Sequence, residues 1–172
     1  MANNKIGTLN PHGGPVLRKV IVANSITIAE NDYLIATSGF AALGTTGTLL
    51  LGVNTGLLDE RGSGMETSGA AGSTSGSYAG IFTTASDNQT VSKIGALVDC
   101  SKDALYSLDA DATIGTTTGS GLIGYHTDLL DEDDSDESTA ATTTAQLFIW
   151  GTDPANAEKQ VVNIYESVVF GV

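Results

Sequence analysis

Apolar residues in this chain gather in short runs separated by Gly, Asn and Asp. Val16-Leu17-Arg18-Lys19-Val20-Ile21-Val22 opens the pattern, and Ile26-Thr27-Ile28 alternates. A turn at Glu30-Asn31-Asp32 leads into Tyr33-Leu34-Ile35-Ala36-Thr37, and Gly44-Thr45-Thr46-Gly47 leads into Thr48-Leu49-Leu50-Leu51-Gly52-Val53. Runs of this length with such boundaries predict strands of a sandwich or barrel. Further strands are expected at Tyr78–Thr84, Val91–Val98, Gln146–Trp150 and Val161–Phe170. The last of these carries Val162, Ile164 and Val168, with Tyr165 and Phe170 as aromatic anchors. Ser101–Tyr106 fits one helical turn or a strand entry. Asp153 before Pro154 reads as the N-cap and first position of a brief helix through Lys159.

Three segments break the pattern. Pro11, Gly13, Gly14 and Pro15 deny residues 1–15 both a helix and a continuous ladder, so this stretch is an extended arm or a frayed terminus. Residues 59–77 are Gly/Ser-rich and read as a long loop. A second excursion spans residues 127–144. Within it, residues 128–137 hold seven carboxylates in ten positions, which predicts a solvated loop. Leu43–Val53 and Ile114–Tyr125 echo each other as Gly-Thr turns followed by apolar pairs, a weak sign of a duplicated hairpin. The expected architecture is all-β: a compact antiparallel β-barrel or β-sandwich over residues 16–172, with an N-terminal arm and long flexible loops.

Composition strengthens the all-β expectation. Thr (22) and Gly (21) dominate while only 16% of residues are charged, so strand and turn formers replace helix formers. Charge is uneven. Residues 1–20 carry +3 through Lys5, Arg18 and Lys19, and the remainder carries −16. An acidic body lacks the Lys/Arg clusters that nucleic acid or an anionic membrane surface would need. A basic segment on an acidic body suits an acidic neighbour such as a like subunit. The stretch MANNKIGTLNPHGG has no run of signal-peptide length, and nothing approaches ~20 consecutive apolar residues. Synthesis in a cytoplasm is therefore expected.

Candidate chemistry is thin. Gly119-Ser120-Gly121-Leu122-Ile123-Gly124 matches a dinucleotide fingerprint, but an acidic segment follows where a helix is required. His12, His126 and Cys100 cannot make a zinc site without carboxylates. His126 near Asp128 has no serine or cysteine in a nucleophile-elbow context. Cys100 sits in an apolar stretch and reads as a small buried hydrophobe. Asp131, Asp133 and Asp136 offer oxygens at short spacing, yet the Gly and Glu of a calcium-binding loop are missing, so they are weak metal candidates. The expectation is no enzyme and no cofactor. Asn88-Gln89-Thr90 is a glycosylation sequon that carries no meaning without secretion.

In order along the chain, the features are a Pro/Gly arm, short strands with Gly-Thr turns, a Gly/Ser loop, acid-rich excursions and an apolar C-terminal strand. With segments such as Val22–Ile28, Leu49–Val53 and Lys93–Asp99, the chain resembles the head decoration (cement) proteins of tailed phages. The resemblance implies a β-protein on the capsid exterior of a virion, often trimeric, that clamps neighbouring major capsid subunits. On that basis Lys5, Ile6, Leu9, Arg18 and Lys19 are the expected contacts to a neighbour, made by strand addition. The competing structural readings are a tail or fibre component and a bacterial surface β-module. A carbohydrate-binding module is the competitor of another class. Against it, Trp150 lies inside an apolar strand and aromatics are few.

Overall fold

The computed structural model describes residues 4–8, 15–65, 81–110, 122–141, 145–153 and 156–165. Every regular element among these is a strand, so the fold is all-β. The strands are β1 (Asn4–Thr8), β2 (Leu17–Ile21), β3 (Thr27–Ala29), β4 (Tyr33–Thr37), β5 (Phe40–Leu43), β6 (Leu50–Leu58) and β7 (Ile81–Thr83). They continue as β8 (Gly95–Asp99), β9 (Ala104–Ala110), β10 (His126–Leu129), β11 (Asp134–Ala141), β12 (Leu147–Asp153) and β13 (Asn156–Ile164).

Three sheets result. The largest runs β1-β9-β11-β10-β12-β13, and β13 also pairs back to β9. Strands β9, β11, β10, β12 and β13 therefore form a closed circuit, with β1 added on β9. Its pairs are antiparallel except β9 with β11, which run parallel through Asp134↔Asp109 and Ser135↔Ala110. A second sheet has the order β2-β8-β6-β4-β5, and β3 pairs with β7.

The second sheet has a hydrophobic core on each face. Tyr33, Ile35, Leu50 and Val53 join Tyr106, Leu108, Leu129, Leu147, Ile149, Val162 and Ile164 of the large sheet. Leu34, Leu51, Leu57, Ala96 and Val98 point the other way and meet Val22, Ile28 and Phe82. A strand covered on both faces gains from apolar residues at every position. This is why Tyr33-Leu34-Ile35 and Leu50-Leu51 do not alternate with polar residues. Gly52 lets β6 approach β8, since a Cβ there would lie 2.3 Å from the Asp99 carbonyl oxygen.

The structure departs from the sequence pattern in several places. Asn156–Lys159 is strand, not helix, because β13 is held by β12 on one side and β9 on the other. Cross-strand pairing there outweighs the capping signal of Asp153-Pro154, whose proline lies outside the described residues. Strand β8 begins only at Gly95, and the preceding residues from Ser86 to Ser92 are turns. The buried amide of Asn88 causes this. It donates to the carbonyls of Val22 and Ile94, and its oxygen accepts the Ile94 N–H. So tied, the sequon asparagine is inaccessible to modification.

The acid-rich excursion at 127–144 is likewise corrected. It contains most of β10 and all of β11, an antiparallel pair rather than a solvated loop. Alternation makes this possible: Thr127 and Leu129 are buried while His126 and Asp128 are half-exposed. Residues 4–8 of the N-terminal segment form β1, paired with Ala104–Ser107 of the same chain. Most of the 59–77 loop and the second half of the hairpin echo lie outside the described residues.

Candidate functional site

Two places concentrate polar and aromatic chemistry. The first is the seam where the β3–β4 turn meets the β10–β11 turn. The Tyr33 N–H donates to the Glu132 carbonyl at 2.8 Å, which locks the two turns together. Asn54 braces the same turn, its amide donating to the Ala29 carbonyl at 2.6 Å. Asp32 is thereby held in the seam at 6% exposure, its carboxylate accepting the Ala29 N–H at 2.6 Å. Burial pushes the Asp32 carboxyl up to about 7, and the fields of Glu132, Asp133 and Asp131 add to the rise. The Ala29 hydrogen bond opposes it.

Across the seam, the Asp131 carboxylate accepts the N–H groups of Asp133 and Asp134 at 3.3 and 3.1 Å. Asp133 is pushed up to about 6, first by burial and then by its bond to Asp131 and the surrounding carboxylates. Asp131, Asp133 and Asp134 bring carboxylate oxygens within 4.8 Å of one another. The expected metal set was Asp131, Asp133 and Asp136. Asp136 is not part of this group, since it sits on β11 directly opposite Asp128. Asp134, next to Asp133 in the chain, takes its place. Asp32, brought to the seam from the β3–β4 turn, is the carboxylate that spacing within one loop could not reveal.

The second place is an aromatic row across β10, β12 and Tyr165, the residue that follows β13. Tyr165 and His126 stack with ring centroids 4.3 Å apart. His126 meets Phe148 at 5.3 Å and 61°, and Phe148 meets Trp150 at 5.0 Å and 62°. His126 and Phe148 are cross-strand partners. Phe148 and Trp150 share a face of β12, while Leu147 and Ile149 face the core. Trp150 is 44% exposed. Its indole N–H donates to the Asn163 side-chain oxygen at 2.8 Å, and the Asn163 amide in turn donates to the Lys102 carbonyl. The indole is thus fixed in orientation with ring surface open to solvent. Trp150 is no core residue; an unbroken apolar run conceals which of its members face outward.

The other expected residues are dispersed. Lys5 and Ile6 lie on β1, and Leu9 falls outside the described residues. Arg18 and Lys19 lie on β2. Lys19 donates to the carbonyls of Asp59 and Glu60, so it anchors the segment that follows β6. Cys100 is buried in the second core, and burial raises its thiol above the ordinary range, as suits a packed, protonated side chain. Gly124 closes a turn before β10 with a positive φ of 86°, and His12 is outside the described residues.

Compared with known proteins, the chain matches no family model, no curated protein and no solved structure.

Proposed function

We propose that this chain is a structural virion protein that binds the outer surface of a phage capsid and strengthens contacts between major capsid subunits. The observation that carries the reading is the use made of its buried polar side chains. Gln146, Asn54, Asn88 and Thr84 are each bonded to backbone carbonyls distant in the sequence. Polar groups spent this way hold one shape. A rigid body with a broad surface is what a clamp between subunits requires, and the resemblance in strand and turn pattern to phage cement proteins agrees with it.

The mechanism is mass action. A protein that binds the assembled shell and not its dissociated subunits stabilises the shell in proportion to occupancy. Many copies act together, so modest affinity at each site suffices. The basic residues Lys5 and Arg18 meet an acidic neighbour, which is the capsid or a second copy in a homo-oligomer, with a trimer favoured, while Lys19 is engaged within the chain. Heating DNA-filled shells with and without bound protein tests the role. Saturated shells should release DNA at a higher temperature, and equal release temperatures contradict the proposal.

A further inference from the structure

The aromatic row continues into carboxylates. His126 and Asp128 are two residues apart on the outward face of β10, and Asp128 is opposite Asp136 on β11. Because β10 and β12 are antiparallel with His126 facing Phe148, Asp128 and Trp150 lie at opposite ends of one strip. Two residues on each side of that pair give the strip a length of about 14 Å. One end presents an indole face held by Asn163. The middle is Phe148, His126 and Tyr165, and the far end is a pair of half-exposed carboxylates.

Like charges directly opposite in a sheet repel. Asp128, whose carboxylate also accepts the Gln146 N–H at 3.2 Å, and Asp136 opposite it add two negative charges to the far end of the strip, which favours a cation there. An exposed indole offers a second such place, since a guanidinium or ammonium group is attracted to the ring face. The surrounding chain carries a net charge of −13, which draws basic groups in and turns acidic ones away. A sugar platform needs rings that lie flat together, whereas Phe148 meets both neighbours at more than 60°.

We propose that the Trp150–Asp128 strip is a docking site for an extended, arginine- or lysine-bearing segment of a partner protein. One cation sits over the Trp150 ring and another is held by Asp128 with Asp136. Alternate side chains of an extended segment are about 7 Å apart, so positions four residues apart reach both ends. The inference stands apart from the capsid reading, because it requires only the basic segment.

Trp150 is the chain's single tryptophan, so its emission reports the site directly. The full chain is titrated at physiological salt with an arginine-rich peptide, and affinity is measured separately by calorimetry. The proposal expects a saturable change in emission. It expects affinity to fall about fivefold or more for Trp150→Ala and for Asp128→Asn. Asp87→Asn removes the same charge from an exposed turn elsewhere and should change affinity less than about twofold. If Trp150→Ala does not fold by circular dichroism, Asp128→Asn and Asp136→Asn decide the matter. Equal losses in all variants, including Asp87→Asn, overturn the proposal in favour of diffuse attraction. So does an emission change produced by a neutral oligosaccharide or by raising protein concentration alone, with none from the peptide.

Discussion

The side-chain oxygen of Gln146 accepts the backbone N–H of Leu129 at 2.8 Å, inside the molecule. The same oxygen accepts the Gly47 N–H, and the amide nitrogen donates to the carbonyls of Thr45 and Thr48. One fully buried side chain thus ties the β5–β6 turn of the second sheet to β10 of the large one. All four of its hydrogen-bonding positions are filled.

Gln146→Leu keeps the volume and removes every one of these bonds, leaving two backbone donors and two acceptors without their partner. Unsatisfied buried groups cost about 1–3 kcal/mol each, partly recovered where water reaches them. Stability is expected to fall by about 3 kcal/mol or more, measured by urea unfolding. A loss below about 1 kcal/mol would mean that the two sheets are held chiefly by their apolar faces.

Gly52→Ala tests the approach of β6 to β8. The new methyl would meet the Asp99 carbonyl oxygen at 2.3 Å and a Val98 methyl at 2.7 Å, and the first contact is with backbone that cannot swing away. Overpacking of this kind costs about 1–3 kcal/mol or more. The thermal midpoint should drop clearly. The matching change at Gly39, where a Cβ meets nothing within 4 Å, carries only the strain of its positive φ and should cost less.

Stability should depend on pH through Asp32. Its carboxyl is raised from 3.8 to about 7 in the folded protein, so the folded state binds the proton more tightly than the unfolded chain. Stability from this group is full below about pH 4 and is lost as pH rises through 7. Asp133 acts in the same direction up to about pH 6. Between pH 5 and pH 8 the protein should lose about 2 kcal/mol, allowing for solvent near the seam. Asp32→Asn keeps an oxygen for the Ala29 N–H and should flatten the profile. An unchanged profile in that variant would place the pH dependence elsewhere.

How much of this was legible in the sequence depended on whether a signal was local. Tyr33–Thr37 is a strand with the bounds its composition predicts, and Leu17–Ile21 lies inside the run that opens the pattern. Turns at Asn31 and Gly47 fall where turn residues stand, both with positive φ. The acidic hairpin was hidden because its carboxylates look like a charge run until one knows that Thr127 and Leu129 are the buried members. Asp32 reads as an ordinary turn residue, and its raised pKa comes first from burial in a seam and then from carboxylates about 100 positions away. Gln146 and Trp150 are similar cases. Nothing in a polar residue beside a strand reveals that it bonds Thr45 and Thr48, and nothing in Leu-Phe-Ile-Trp says which side is wet.

Removing residues 1–15 takes β1 from the edge of the large sheet, while β9 keeps its pairing to β13 through Asp109, Leu108, Ser107 and Tyr106. The truncated chain should retain its circular dichroism and lose affinity for phage shells. Unchanged affinity would show that Lys5, Ile6 and Leu9 do not make the neighbour contact.

The central claim is binding to an assembled capsid, and co-sedimentation with phage shells tests it most directly. Purified protein is added to expanded and to unexpanded shells across a concentration series. The account predicts saturable binding to expanded shells at a fixed number of copies per capsid subunit, with little binding to unexpanded ones. Failure to bind either kind of shell, with retention on a polysaccharide matrix instead, would contradict it.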